Sequence, residues 1–194
     1  GGGGGTGWLL AGNAGTVDGT NFIGTTDNVP LTIRVNNLQS GRIESNNLTA
    51  NTFYGYRSGV VNTGFNNTGY GWQALQSNTS GIYNTANGYQ SLSLNTTGSN
   101  NTANGSIALF FNSTGNNNTA IGLQSLFFNS TGNDNTALGY QSLYNSSTGN
   151  KNTAVGRRAL NNNTTGSNNT ALGDSAGVAA SNLNNTTALG YNAI

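Results

Sequence analysis

The chain has 194 residues, 6 basic and 5 acidic side chains and a formal net charge of +1; charged residues are 6% of it and hydrophobic residues 34%. It has no His, Cys or Met and a single Pro, so zinc sites, thiol chemistry, disulfides, haem ligation and His-based acid–base catalysis are closed to it. The near-zero net charge leaves no electrostatic footprint for nucleic acid or an anionic membrane, and no apolar run approaches the roughly 20 residues of a membrane-spanning helix.

The chain opens at Gly1, which reads as a fragment or a processed chain. Residues 1–7 form a Gly-rich linker. A formal Gly-x-Gly-x-x-Gly match lies in it at Gly2, Gly4 and Gly7. A nucleotide site would need a strand before it and a helix after it, and the sequence offers neither. Residues 8–50 read as a small N-terminal β cap. Trp8 to Asn28 is turn-dense in Gly, Asn, Thr and Asp. Leu31, Ile33 and Val35 alternate with Thr32 and Arg34, which predicts a half-buried strand. Asn36-Asn37 predicts a turn, and Leu38 to Glu44 a returning strand. Arg34, Arg42 and Glu44 are placed either to pair there or to stand as three separately solvated charges.

Residues 51–194 repeat. A glycine falls at Gly71, Gly88, Gly105, Gly122, Gly139, Gly156, Gly173 and Gly190, each 17 residues after the last, and a looser copy ends at Gly55. Leu75, Leu92, Leu109, Leu126, Leu143 and Leu160 keep the same beat, as do Asn84, Asn101, Asn118, Asn135, Asn152 and Asn169. The unit reads Asn-Thr-Ala-x-Gly-Tyr-Gln-Ser/Ala-Leu, then a polar stretch, then Thr-Gly-x-Asn. It is too short for a helix pair, and its Gly and Asn are poor helix formers. The spacing predicts an all-β, parallel β-solenoid of about nine 17-residue coils. Coils pairing through backbone hydrogen bonds stack about 4.8 Å apart, so nine make a rod on the order of 40 Å long.

Stacking also accounts for the composition. The chain holds 37 Asn, 30 Gly, 26 Thr and 18 Ser. Equivalent residues lie above one another, so a charged position would become a column of repelling charges, whereas Asn amides pair along the axis. The expected inward residues are the repeated Ala, the repeated Leu and the position before each Gly: Asn87, Asn104, Ile121, Leu138, Val155, Leu172 and Leu189. So thin a core predicts lateral assembly, most simply a homotrimer of parallel coils. The pattern breaks at Asp174 and Leu183, which predicts final coils that differ from the rest.

The units resemble the head repeats of trimeric autotransporter adhesins, the YadA-like family, also met in bacterial and phage fibre proteins. The stretches that carry the likeness are Asn118-Thr119-Ala120-Ile121-Gly122 and Asn152-Thr153-Ala154-Val155-Gly156. Asn21 to Asn28 and Arg34-Val35-Asn36-Asn37 look like a segment that precedes such repeats. The resemblance implies a left-handed parallel β-roll, a homotrimer and surface display for attachment. The family's usual coil is shorter, so the loop after each Leu is an addition here.

Candidate site residues are few. Asp18, Asp27, Asp134 and Asp174 are scattered and read as turn residues rather than as a calcium loop, so no metal and no cofactor are expected. Lys151, Arg157 and Arg158 share one coil. They read as a solvated face or, in a trimer, as a basic ring for an acidic glycan or a phosphate. Leu94, Phe110, Phe111, Phe127, Phe128 and Tyr144 follow the repeated Leu in four neighbouring coils, where other coils carry Gln76, Ser77, Asn161 and Asn162. They read as an enlarged trimer core or as an interaction patch for a receptor, a neighbouring fibre or a glycan. Asn47, Asn66, Asn95, Asn112, Asn129 and Asn145 head Asn-x-Ser/Thr sequons and are candidate glycosylation sites.

The sequence thus reads as a non-enzymatic structural or adhesive segment of an extracellular or cell-surface fibre. Its expected partners are itself, as a homotrimer, and a surface receptor or glycan; nucleic acid and direct membrane insertion are not expected. The alternatives are a subunit of an end-to-end homopolymeric filament and a phage or virus tail-fibre shaft.

Overall fold

The computed structural model describes residues 24–27, 29–44, 50–177 and 180–194. Residues 1–7, and with them the Gly-x-Gly-x-x-Gly match, lie outside these, as do Asp18 and Asn47. The described residues form eleven β-strands in one continuous sheet, ordered as they occur in the chain.

The first two strands are a hairpin, β1 (Leu31–Val35) and β2 (Leu38–Ile43). Asn36 and Asn37 make its turn with φ of 48° and 58°. Two left-handed residues in succession match the twist of a two-residue hairpin, and Asn tolerates that region. Among the described residues Arg34 joins no ion pair; its Nη1 donates to the Asn37 carbonyl and Oδ1 at 3.3 and 3.1 Å. Arg42 pairs with Glu44. β2 then runs antiparallel to β3 (Thr52–Tyr54), with Gly41 opposite Tyr54. The hairpin therefore covers one end of the repeat array.

From β3 onward every pairing is parallel and in register. The rungs are β4 (Thr68–Tyr70), β5 (Thr85–Asn87), β6 (Thr102–Asn104), β7 (Thr119–Ile121), β8 (Thr136–Leu138), β9 (Thr153–Val155), β10 (Thr170–Leu172) and β11 (Thr187–Leu189). Thr stacks on Thr and Ala on Ala, as in Thr119 against Thr136 and Ala120 against Ala137. The chain is a parallel β-solenoid with 17-residue coils, shortened to 16 only between β3 and β4.

The coil interior is narrow and mixed. Ala86, Ala103, Ala120, Ala137, Ala154 and Ala171 are fully buried, as are Leu75, Leu92, Leu109, Leu126, Leu143 and Leu160. Each of these leucines has φ near +50°. That conformation costs an L-residue roughly 1–2 kcal/mol. Burying the side chain returns about 1.5–3 kcal/mol, and each Leu N–H also bonds the next coil, as from Leu109 to the Ser125 carbonyl at 3.0 Å. Burial and the ladder bond together outweigh the strain. In the first coil Phe53 replaces the Ala, and space is made for its ring. A Cβ on Gly59 would meet it at 2.5 Å and one on Gly69 at 3.0 Å.

The rest of the interior is asparagine. In the first column, each Asn Oδ1 accepts the backbone N–H of the residue one coil on, and each Nδ2 from Asn51 to Asn152 donates to a glycine carbonyl, while Asn169 Nδ2 donates to the Leu183 carbonyl. Asn118 shows the pattern: its N–H bonds Asn101 Oδ1 at 3.0 Å and its Nδ2 bonds the Gly132 carbonyl at 2.8 Å. The hairpin end supplies the starting partner, because Asn51 Nδ2 donates to Glu44. The column ends at Thr186, whose N–H and Oγ1 both donate to Asn169 Oδ1. A second column runs Asn62, Asn78, Asn95, Asn112 and Asn129, amide to amide at 2.5 to 2.8 Å. These buried amides satisfy one another, which is the condition for placing so many inside.

The second column has one fault. The next position is Ser146, whose side chain is too short to reach back. Asn129 Oδ1, Ser146 Oγ and Asn163 Oδ1 are left without protein partners. Ser146→Asn is expected to close the column. One recovered hydrogen bond is worth about 1 kcal/mol, so the melting temperature should rise by about 2–4 °C. An unchanged or lower melting temperature would contradict this account.

Candidate interaction surfaces

A strand alternates its side chains, so an inward Ala sends its neighbours outward. The expectation that the residue before each Gly points inward is therefore corrected. Ile121, Leu138, Leu172 and Leu189 are 37%, 42%, 53% and 64% exposed. Asn87 and Asn104 are exposed at the same position, and Val155 is half-buried. Tyr54 and Tyr70 extend the column toward the hairpin, their rings stacked at 5.4 Å. The residue after each Gly adds a second column at the corner of the coil. Trp72 stacks on Tyr56 and Tyr89 at 6.0 and 5.0 Å, and Leu123, Tyr140 and Tyr191 are exposed further along. An apolar stripe thus follows the rungs along the rod, interrupted by Asn87 and Asn104 on the rungs and by Ser106 and the Arg157–Asp174 pair at the corner.

The residues after each Leu form a separate surface. Phe110, Phe127 and Tyr144 stack at 5.6 and 5.2 Å, and beside them Phe111 stacks on Phe128 at 5.3 Å. The two rows lock edge to face, Phe110 to Phe111 and Phe127 to Phe128 both at 4.8 Å. Leu94, Phe111 and Phe128 are 38–39% exposed, and Phe110, Phe127 and Tyr144 half-buried. The coil's own core is already filled by Ala and Leu, so these rings lie outside it. The sequence places all six residues together correctly.

The basic cluster does not converge. Lys151 precedes β9 and lies in an open polar groove with Asp134, Asn117 and Asn168. Arg157 and Arg158 follow β9. Arg157 Nε donates to Asp174 Oδ2 at 2.9 Å, and Arg158 Nε to Gln141 Oε1 at 3.3 Å. The Arg157 hydrogen bond, joined by Ser175, holds the Asp174 carboxyl below the usual carboxylate range. Two of the three cations thus face structural partners rather than a shared site. Among the described residues no group of acidic side chains is gathered to hold a metal ion, and no helix is long and apolar enough to cross a membrane.

The sequon asparagines divide by burial. Asn66 is exposed, with φ of 58°. Asn95, Asn112 and Asn129 are fully buried, and their Nδ2 atoms, where a glycan would attach, donate within the second amide column. In the folded coil these three are structural residues, not glycan acceptors. Asn145 is half-buried and its Nδ2 donates to the Asn161 carbonyl at 2.9 Å. The sequence carries no signal for this division, because a sequon looks the same inside and out. Comparison with protein-family models, with curated proteins and with solved structures gave no match.

Proposed function

We propose that the chain is a structural and adhesive segment of an extracellular or cell-surface fibre, built as three coils around a shared axis and without enzymatic activity. The observation that carries this reading is the apolar stripe on the outer face of the rungs. Exposed apolar surface that runs along a rod calls for a partner along the same length. Ile121, Leu138, Leu172 and Leu189 offer that seam on every stack. Three of the four described acids serve structure: Glu44 holds Arg42 and Asn51, Asp174 holds Arg157, and Asp134 accepts from Asn117 at 3.1 Å, while Asp27 is exposed near the hairpin. The hairpin on β3 argues against coil-on-coil stacking at that end, and so against the end-to-end filament. A tail-fibre shaft would share the same seam.

The test is the native mass. Three copies of the 19.8 kDa chain, or a multiple of three, are expected. Leu138→Asn with Leu172→Asn should release monomers, because both side chains leave the seam and neither leaves a coil's core. A parent chain that is monomeric at every concentration would overturn the reading.

A further inference from the structure

Beyond the shared-axis seam, we propose that the aromatic comb of Leu94, Phe110, Phe111, Phe127, Phe128 and Tyr144 is a second self-association surface, joining two coil stacks side by side. The comb lies after the buried Leu of each coil, whereas the seam lies on the rungs and at the corner following each Gly. Gln90, Gln124 and Gln141 stand between them, the last bonding Gln124 Oε1 at 2.8 Å. The two surfaces are therefore available at once.

Ring geometry decides what fits the comb. Within each row the rings stack within 15° of parallel. The two rows also meet edge to face at 81–89°, so the rings cover one another's faces. A sugar needs a free aromatic face, so a glycan gains little here. The comb also repeats at the coil spacing of about 4.8 Å. Interdigitation over several levels needs a partner with the same pitch, and a second copy of this stack has it. Such mating of identical side chains is the principle of a dry steric zipper.

Two further features favour a copy over a foreign partner. From Ser58 to Asn133 the sequence holds no charged residue, so nothing on these coils repels its own kind. The comb is also self-complementary. Its centre is two successive Phe pairs, and a two-fold axis between them sets Phe110 against the partner's Phe127 and Phe111 against the partner's Phe128. An isologous contact requires this reciprocity. The exposed area is roughly 400 Å² on each copy if an aromatic side chain offers about 150–250 Å² in full. That is below the approximately 800 Å² per partner of a standard interface, so the pairing depends on concentration.

Sedimentation of the intact chain over a range of concentrations tests this. Parent assemblies should double in mass as concentration rises, and Phe111→Ser with Phe128→Ser should abolish the doubling while leaving the melting curve in place. If the seam also forms, the first step is from three chains to six and growth continues beyond it, because each trimer carries three combs; if the seam fails, the step is from one to two and stops there. The two readings therefore fail separately. Should the double variant not fold, Phe128→Lys alone gives the same test: paired copies bring like charges together, and doubling should vanish at low salt and return at high salt. A folded variant that doubles as the parent does, or a parent that never doubles, overturns the proposal.

Discussion

Gly122→Ala is expected to cost this protein a large part of its stability. Gly122 has φ of +127°, and a Cβ there would lie 2.7 Å from the carbonyl carbon and oxygen of Gly139 in the next coil. Two costs add. Backbone in this region is essentially restricted to glycine, and holding another residue there costs about 1–3 kcal/mol. The overlap adds about 1–3 kcal/mol, as overpacking does in tight cores. The coils cannot move apart to relieve it, because Gly139 N–H bonds the Ile121 carbonyl at 2.8 Å. A total of about 4 kcal/mol lowers the melting temperature by roughly 8–16 °C in a chain of this size. Two companions separate the causes. Gly115→Ala has no positive φ to strain, but its Cβ would meet Asn112 Oδ1 and the Gly132 carbonyl at 2.4 Å, so it keeps only the clash. Gly190→Ala has φ of +114° with nothing within 4 Å, so it keeps only the strain. Gly122→Ala should melt lowest of the three. Equal melting temperatures for Gly122→Ala and Gly190→Ala would refute the stacking argument.

The same glycines made the fold legible. A fixed 17-residue beat places every rung from β4 to β11 on the same residues, Thr-x-x before each Gly. The hairpin was legible from Asn36-Asn37, and the amide column from Asn84, Asn101 and Asn118. The sidedness of the strand was not read correctly. Ala and the residue after it were both expected inside, although a strand cannot bury two successive side chains in one core. The expectation followed the habit of burying Ile121 and Leu138 because they are apolar. A coil filled by Ala, Leu and two asparagines has no room for them. Positive φ at Leu and Gln was likewise hidden, because propensity assigns that region to Gly and Asn. Here register and burial override it.

The candidate surfaces follow the same division. Periodicity grouped the comb correctly, since stacked positions must meet. It also grouped Lys151 with Arg157 and Arg158 through shared coil membership, but β9 and the turn at Gly156 lie between them and their partners differ. Burial of Asn95, Asn112 and Asn129 was hidden for the opposite reason. Asn is usually a surface residue, and only the completed amide column shows why it is admitted to the interior here.

That column yields the second large effect. Asn118→Asp is expected to destabilise the protein at neutral pH and to recover in acid. Asn118 is fully buried. Its Nδ2 donates to the Gly132 carbonyl at 2.8 Å and to Asn101 Oδ1 at 3.1 Å, while its Oδ1 accepts from the N–H and Nδ2 of Asn135 at 3.0 and 3.1 Å. A carboxylate of the same shape keeps the two bonds from Asn135 but turns both donor contacts into acceptor against acceptor. Leaving a buried charge so poorly matched costs about 3–5 kcal/mol. Burial and the facing oxygens raise the carboxyl's folded pKa above the unfolded value of about 3.9. The folded state then binds the proton more tightly, so stability is regained as pH falls through the folded pKa and lost as pH rises through it. Once protonated, the side chain has one O–H to give to the Gly132 carbonyl, so recovery is partial: one of two donors returns. Thermal melts of parent and variant at pH 3 and pH 7 measure this. The deficit should be much smaller at pH 3, and an equal deficit at both would show that shape rather than charge is at fault. Asn100→Asp serves as the control, because that position is exposed and Asp134 already occupies its equivalent two coils on. It should melt as the parent does at both pH values, because its carboxylate, unlike that at 118, keeps its water.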